Sequence, residues 1–297
     1  MKKVYICILI SKKNIKFLSL LLKSLNLLKK NSNYKTEIVF VIEKKNILFS
    51  NFTNKILQNN FKYKILYSKK NNIPSSRNII LNFLRKEKFV YGAFLDDDCI
   101  VNKKWLVNMI KFIKKEKSDI VGGPQKHIVK NKNFEKFFNS LEPNRKNGEK
   151  VDWIATNNCF FKAKAIKYNN LLFDEDLKNI GGSDQLFFKI LSKQGNIIKW
   201  NSNSFVVENH QSNREKKIWF FRRNLRYGYS GNIIDLKVYG KFKGIFVICF
   251  KIIALLIQSL LFIVFPAKNN YLKSYFFLAK AIGRIIGIFS YKPKKYI

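Results

Sequence analysis

An apolar run that ends in three consecutive aspartates constrains the fold of this chain more than any other feature. Residues 89–95 form the run, and Asp96, Asp97 and Asp98 follow it directly. A short segment rich in aromatic and β-branched residues is typical of a buried strand. Neighbouring carboxylates repel one another, and Mg²⁺ or Mn²⁺ prefers carboxylate and phosphate oxygens. Since ligands of open α/β sheets bind beyond the carboxyl ends of strands, the run predicts a metal and phosphate site. A solvated acidic turn is the alternative.

Strand-like and helix-like segments alternate along most of the chain. Strands are predicted at residues 4–11, 37–42, 63–67, 89–95 and 119–121, and helices at 14–30, from 73 onward, at 103–115 and at 183–193. Pro74 and the serine hydroxyls beside it are expected to start and cap the helix at residue 73. Residues 131–158 are interpreted as loop-rich. This alternation predicts an α/β fold with a mostly parallel sheet flanked by helices.

The chain is strongly basic, with 57 Lys and Arg against 19 Asp and Glu, a net charge of +38 and a pI of about 10.1. The basic residues are spread along the whole sequence, and no nucleic-acid-binding motif accompanies them. We therefore expect an anionic membrane surface or phosphate-bearing substrates as partners, and no nucleic acid. The four cysteines form no C-x-x-C pair, so no zinc site is expected and the thiols are predicted to be reduced. The N-terminus is interpreted as a first strand instead of a signal peptide.

The C-terminal region changes character. Residues 244–266 are apolar all round except for Lys251 and Gln258, and about 20 such residues suffice to cross a bilayer. Residues 271–290 are apolar with interspersed basic residues, a pattern typical of an interfacial helix. Membrane association is the preferred interpretation, and a helix pair packed on a soluble core is the alternative. Whether the first segment spans the bilayer or is re-entrant stays open.

Three further sites carry candidate chemistry. Asp184 follows Gly181, Gly182 and Ser183 at a helix start, where the helix dipole keeps a carboxylate ionised and able to take a proton from a hydroxyl; simple helix capping is the alternative. Arg77 lies at another helix start, suited to phosphate, or is merely an exposed side chain. His210, one of two histidines, could bind a metal or a diphosphate, or be structural.

Taken in order, these segments resemble the family 2 glycosyltransferases over roughly residues 1–235. The resemblance is carried by Glu43 after a strand, by residues 73–78 (IPSSRN), 94–98 (FLDDD), 156–162 (TNNCFFK), 173–175 (FDE) and 181–184 (GGSD), and by His210. It implies an inverting, nucleotide-sugar-dependent enzyme with the Rossmann-like GT-A fold. Asp98 and His210 would bind Mn²⁺ or Mg²⁺, while Glu43, Arg77, Asp96 and Asp97 would bind the donor. Asp184 would be the general base, and Asn158 and Ser183 would contact the acceptor. Ser183 and Glu43 depart from the family's usual Glu and Asp.

The resemblance implies a GT-A domain at residues 1–235 followed by a membrane-associated helical region at 236–297. It also implies sugar transfer to a lipid-linked or saccharide acceptor in cell-surface polysaccharide synthesis, on the cytoplasmic face of the inner membrane. One rival is a nucleotidyltransferase, which would be expected to show a glycine-rich loop after the first strand, where residues 11–14 read SKKN. The other is a catalytically inactive basic protein that binds membrane or nucleic acid, which would not need Asp96, Asp98 and Asp184 together.

Overall fold

The computed structural model describes residues 2–10, 15–29, 32–43, 47–57, 60–70, 72–209, 216–265 and 270–289. These residues form two compact units that interleave along the chain. The first, the sheet unit, comprises Met1–Ile128, Glu142–Phe173 and Phe187–Asn209. The second, the helical unit, comprises Val129–Leu141, Asp174–Leu186 and His210–Ile297. The division at residue 235 that the sequence suggested stays a prediction.

Ten strands belong to the sheet unit: β1 (Lys2–Leu9), β2 (Tyr34–Ile42), β3 (Lys62–Tyr67), β4 (Tyr91–Asp96), β5 (Cys99–Val101), β6 (Ile120–Gly122), β7 (Gln125–Ile128), β8 (Asn158–Lys162), β9 (Ile198–Trp200) and β10 (Val206–Asn209). Seven form one sheet in the order β3-β2-β1-β4-β8-β6-β9, and β5, β10 and β7 form a small second sheet. In the large sheet only β8 runs antiparallel to its neighbours. The predicted α/β architecture with a mostly parallel sheet is thus confirmed.

The helices are α1 (Ile15–Asn26), α2 (Ile47–Leu57), α3 (Ile73–Lys86), α4 (Trp105–Lys115), α5 (Lys132–Ser140), α6 (Lys164–Lys167), α7 (Ser183–Lys193), α8 (Lys217–Tyr239), α9 (Lys241–Val264) and α10 (Asn270–Phe289). Helix α5 lies within the segment interpreted as loop-rich, so that interpretation was wrong for these nine residues. Its Phe134, Phe137 and Phe138 are buried together, which is what makes it helical. The cap predicted for α3 was also wrong: Asn72, and no serine hydroxyl, accepts from the Ser75 amide at 2.8 Å.

Alternation along the central strands covers both faces of the large sheet. Val4, Ile6 and Ile8 of β1 point into one core with leucines of α1, while Tyr5 and Cys7 point into the other core with α3. Successive side chains of a strand point to opposite faces of the sheet, so a sheet with helices on both faces buries every side chain of its central strands. The two cores fix the strand ends that carry the candidate site.

Candidate active site

Three neighbouring parallel strands end at one edge of the large sheet. β1 pairs with β2 on one side and with β4 on the other, and Leu9 lies in register with both Val41 and Asp96. Glu43 follows β2 at this edge, and Asp96 is the last residue of β4. The structure therefore places Glu43 and Asp96 two strands apart along the edge where ligands of such sheets bind.

The other two aspartates form the turn from β4 into β5. Asp97 and Asp98 are only 4% and 7% exposed, whereas the Asp96 side chain is 42% exposed. The amide of Asn209 donates to the carbonyl oxygen of Asp98 at 3.2 Å, and β10 pairs with β5 beside it. Because Asp97 and Asp98 are buried and β10 pairs beside them, the aspartate turn is not the solvated turn considered as the alternative.

Arg77 comes from the first turns of α3 and approaches the same carboxylates. Its Nη2 lies 3.9 Å from Asp96 Oδ1, and its guanidinium stands 5.4 Å from the centre of the Phe173 ring. Asn78 fixes that ring, because its amide donates to the Phe173 carbonyl at 2.9 Å and accepts from the Phe173 amide at 2.7 Å. Arg77 itself is 7% exposed, so the alternative of an exposed surface arginine was wrong.

Sequence reasoning missed the supporting roles of Asn78 and Phe173. Phe173 also stacks on Phe187 of α7, with ring centres 4.0 Å apart. The signal available in the sequence was the asparagine directly after Arg77, since a buried amide at a helix start needs partners for both its donor and its acceptor. Nothing in the sequence indicated that those partners are 95 residues away.

Several carboxylates lie close to the aspartate turn. Burial, followed by the charges of Asp96, Glu208 and Asp98, raises the pKa of the Cys99 thiol well above its usual range. His127 stands beside these groups, with Nδ1 3.9 Å from Glu208 and Nε2 3.6 Å from Glu142. A cation that prefers oxygen ligands fits such a surface.

The described residues contain no preformed cluster of three or more His, Cys, Asp or Glu side chains arranged to hold a metal. Mg²⁺ usually binds through one or two carboxylates together with substrate phosphates, so Asp98 with its neighbours supplies a fitting, incomplete donor set. His210, the other predicted ligand, lies outside the described residues.

Asn158, which was predicted to contact the acceptor, is buried and hydrogen-bonded within the sheet unit. It is 1% exposed. Its Oδ1 accepts from the Trp105 indole at 2.9 Å, and its Nδ2 donates to the carbonyl oxygens of Pro124 and Ser204 at 3.1 and 2.7 Å. With its amide engaged inside the sheet unit, Asn158 ties β8 to the segments around it.

The helical unit carries Ser183 and Asp184 at the N-terminus of α7. Asp184 is partly exposed, and its Oδ1 accepts from the following amide at 2.9 Å, while Ser183 is 4% exposed. Gly181 and Gly182 precede them with φ of +86° and +87°. A side chain on Gly182 would meet Ile234 of α8 at 2.8 Å, so glycine is needed both for its conformation and for its close approach to α8.

An ionic contact fastens the same loop to α8. Lys237 pairs with Asp174 and, at 3.2 Å, with Asp176. Asp174 also accepts from the Asp176 amide at 2.9 Å, which caps the short 3₁₀ helix Glu175–Leu177. The candidate base is therefore held on a loop that is tied to α8 at two points.

These features define what the chain can do chemically. The sheet unit presents Arg77 and a group of carboxylates at the edge where a diphosphate and its cation would bind. The helical unit presents a partly exposed carboxylate at a helix N-terminus, which suits proton removal from a hydroxyl.

Known proteins with similar folds are glycosyltransferases. TarS of S. aureus, residues 1–349, aligns with a TM-score of 0.55 and 16% identity, covering 98% of this chain and 91% of that one. A mannosyltransferase of Pyrobaculum calidifontis, solved with GDP-Man and Mn²⁺, aligns with a TM-score of 0.62 and 13% identity, covering 95% and 86%. At these identities the similarity is one of fold. No curated protein is close enough in sequence to count as a match.

The sequence itself matches the family model described as glycosyl transferase family 2 over residues 7–172. The matched region contains Glu43, Arg77, the aspartate turn and residues 156–162, whereas residues 173–175, Asp184 and His210, which also carried the resemblance, lie beyond it. Since it covers more than half of the 297 residues, the chain belongs to glycosyl transferase family 2 and is a glycosyltransferase of the GT-A type.

Proposed function

We propose that this enzyme transfers a sugar from a nucleotide-sugar donor, with inversion, to a lipid-linked or saccharide acceptor. The site would act on the cytoplasmic face of the inner membrane, in the synthesis of cell-surface polysaccharide. The observation that carries the donor side is the approach of Arg77 to Asp96 next to the buried Asp97 and Asp98. TarS has been solved with UDP and with UDP-GlcNAc, and the mannosyltransferase with GDP-Man, which supports a nucleotide sugar as the class of donor.

Each residue has a separate role in this proposal. Arg77 and Asp96, with Asp97 beside them and Glu43 further along the sheet edge, position the nucleotide, and Asp98 holds the cation. A bound Mn²⁺ or Mg²⁺ neutralises the negative charge of the diphosphate leaving group. Asp184 removes the proton of the acceptor hydroxyl as that oxygen bonds to the anomeric carbon and the bond to the diphosphate breaks. A single displacement of this kind needs no covalent sugar–enzyme intermediate, unlike hydrolysis by a retaining carboxylate pair.

The donor site is tested by calorimetry with UDP and GDP in the presence and absence of Mn²⁺. Asp98→Ala is expected to abolish the Mn²⁺-dependent part of the affinity. Asp152→Ala is the control, because Asp152 is a half-exposed carboxylate outside the aspartate turn, 2.7 Å from the ammonium group of the buried Lys189. Unchanged Mn²⁺-dependent affinity in Asp98→Ala would exclude Asp98 as the ligand.

The base is tested by turnover with a panel of UDP- and GDP-sugars and a membrane extract as acceptor. Asp184→Asn keeps the size of the side chain and removes its basicity. Turnover is expected to fall about 100-fold or more, the usual scale for loss of a general base, while nucleotide affinity is retained. Retained turnover would place the base at another residue.

A further inference from the structure

Helix α9 has an apolar surface that the chain itself leaves mostly uncovered. It is 24 residues long, and only 11% of its most apolar window is buried. Among the described residues it is the one helix long and apolar enough to cross a membrane. A single stripe that includes Gly244, Ile248 and Ser259 is buried at helical spacing. Large apolar side chains cover most of the remaining surface, with the following more than half exposed: Phe242, Phe246, Phe250, Ile253, Ile257, Leu260, Ile263, Val264 and Phe265.

The buried stripe packs on α8 and α10 over the whole length of α9. Near its start, Gly244 lies against Leu236 of α8, where a Cβ would come within 3.0 Å. Near its end, the hydroxyls of Ser259 and Ser274 are 3.0 Å apart, and the rings of Phe262 and Phe277 stack with centres 5.5 Å apart. Helix α9 therefore belongs to a three-helix bundle with α8 and α10 and is not an isolated segment.

Helices α8 and α10 are in turn joined through their backbones. A Cβ on Gly228 would lie 2.0 Å from the Lys280 carbonyl oxygen, and one on Gly283 would lie 2.0 Å from the Leu225 carbonyl oxygen. Helices in such close contact move together. Any orientation of α9 in a membrane is thus imposed on α8 as well.

Helix α8 is unsuited to the hydrocarbon interior. It carries six charged side chains: Lys217, Arg222, Arg223, Arg226, Asp235 and Lys237. It also packs against α5 through Phe220 and Phe137, with ring centres 5.0 Å apart, and holds the loop of Asp174. Charged side chains at the bilayer centre are strongly disfavoured. A spanning α9 would pull this charged helix and its attached loop into the bilayer, which excludes the spanning orientation.

Lys251, which interrupts the apolar sequence of α9, pairs with a carboxylate of α8. Lys251 donates to both carboxylate oxygens of Asp235, at 2.7 and 2.9 Å, and Asp235 also accepts from Arg284 of α10 at 3.0 Å. Asp235 is 1% exposed. The ammonium group of Lys251, whose side chain is 35% exposed, is therefore paired with a buried carboxylate of α8, and Lys251 is the one charged residue of α9 after Lys243.

Two partners could bury the apolar surface of α9, a lipid leaflet or a second copy of the chain, and the net charge of the protein favours the first. The protein has a net charge of +38, which opposes close self-association and favours an anionic surface. Lys241 and Lys243 stand at the start of α9, next to its apolar surface. Lysines at the start of an apolar helix attract that end of the helix to anionic headgroups.

We propose that α9 lies flat in one leaflet of an anionic membrane, parallel to its plane, and does not cross the bilayer. Helices of this kind sink roughly 5–10 Å into the boundary between headgroups and acyl chains, about the diameter of a helix. The flanks and the outer side of α9 then contact lipid while α8 stays in the aqueous phase. This inference rests on the membrane association in the proposed function. It does not depend on which donor or acceptor the enzyme uses.

The orientation is tested by measuring the depth of spin labels in vesicles of phosphatidylcholine and phosphatidylglycerol. The full chain, with Cys249→Ser to remove the exposed thiol, receives one new cysteine at a time: Phe246→Cys, Ile253→Cys or Leu260→Cys. These positions are seven residues apart and lie on one side of the helix, with exposures of 76%, 58% and 59%. Ser259→Cys is the control, because Ser259 faces α10.

Equal depths at the three positions, below the headgroups and with similar access to lipid-soluble oxygen, are the expected result. A spanning helix would instead give depths that change by up to roughly 21 Å between residues 246 and 260, at 1.5 Å per residue. That gradient would overturn the proposal. A second result would also overturn it: labels that are shielded from solvent in the absence of vesicles and show dipolar coupling between two chains. That result would mean that a second copy of the chain covers α9. The depth measurement needs no turnover. If the three labels lie at equal depth but no nucleotide sugar is turned over, the proposed function is contradicted and the orientation of α9 is not.

Discussion

Among single residues, the cysteines report most directly on the environment of the aspartate turn. Cys99 directly follows Asp98, is buried, and its pKa is raised by burial and by the neighbouring carboxylates. Cys7 and Cys159 are also buried, whereas Cys249 is exposed on α9. A reduced thiol reacts as its thiolate, so burial and negative charge both protect Cys99.

We therefore expect a small uncharged thiol reagent to modify one cysteine per native chain and four after unfolding in guanidinium, as counted by mass spectrometry. Cys249→Ser should bring the native count close to zero. The count should stay there at pH 9, where an ordinary cysteine with a pKa of about 8.5 is mostly ionised, because the raised pKa keeps Cys99 protonated. Rapid modification of Cys99 at pH 9 would show that the turn is open to solvent.

The roles of individual residues were predictable to different degrees. Arg77 and the aspartates were predicted to bind the donor because their order along the chain matches a family pattern. The structure brings Arg77 to Asp96, and the donor role itself stays a prediction. Asn158 matched the same pattern, yet its partners are a tryptophan, a proline carbonyl and a serine carbonyl from three separate segments. Contacts of this range leave no local signal in a sequence, so burial of the Asn158 amide was not foreseeable.

Among the elements, the loop that leads into α7 carries the proposed base, Asp184, at its end. Gly182 and Gly195 stand before and after α7 with similar backbone angles, φ +87° and φ +91°. Only Gly182 is in close contact, with Ile234 and Ser230 of α8, whereas a Cβ on Gly195 would meet nothing within 4 Å. The two glycines therefore separate the effect of backbone conformation from the effect of packing.

Gly182→Ala is expected to lower kcat at least tenfold with little change in nucleotide affinity, because the added Cβ must displace the loop that positions Asp184, and displacements near 1 Å can cost about 100-fold in rate. Both substitutions should lower the free energy of unfolding by roughly 1–2 kcal/mol, because both glycines have a positive φ. Gly195→Ala should leave kcat unchanged. Thermal unfolding and steady-state kinetics measure the two effects. Equal losses of kcat in both variants would mean that the loop contact with α8 does not position the base.

Long apolar elements were predicted well and short ones poorly. Strands β1, β2, β3, β4 and β6 and helices α1, α3, α4 and α7 were predicted from their apolar patterns, whereas β8 and β9 of the same sheet were not. Strands β5, β7 and β10 have only three or four residues each, too few to show a period of two. The antiparallel direction of β8 depends on its long-range pairing with β4 and β6, which no pattern within β8 encodes. Helix α5 did carry a signal, phenylalanines three and four residues apart, that was overlooked.

On the scale of the whole molecule, the proposed attachment to a membrane rests on two independent forces. The net charge of +38 acts on anionic lipid through the solvent, while the apolar surface of α9 acts through burial. Salt screens the first, because the Debye length falls from about 10 Å at 0.1 M to about 3 Å at 1 M. It does not weaken the second.

Vesicle flotation should therefore show tighter binding to anionic than to neutral vesicles at 0.1 M salt, and equal binding to both at 1 M. Replacing Phe246, Ile253 and Leu260 together by lysine should abolish the binding that remains at 1 M salt and keep the binding to anionic vesicles at 0.1 M. Complete release of the unmodified protein from every vesicle at 1 M salt would contradict a contribution from α9.

The attachment of the Asp184 loop to α8 has a consequence for the choice of acceptor. Gly182 contacts α8 at Ser230 and Ile234, whereas α9 contacts it near Leu236, on a different side of the same helix. With α9 in the leaflet, α8 becomes a spacer of fixed thickness, about 10 Å, between the lipid and the base. The enzyme would then act as a molecular ruler: hydroxyls close to the lipid anchor would meet Asp184, and those at the far end of a long glycan would pass it by.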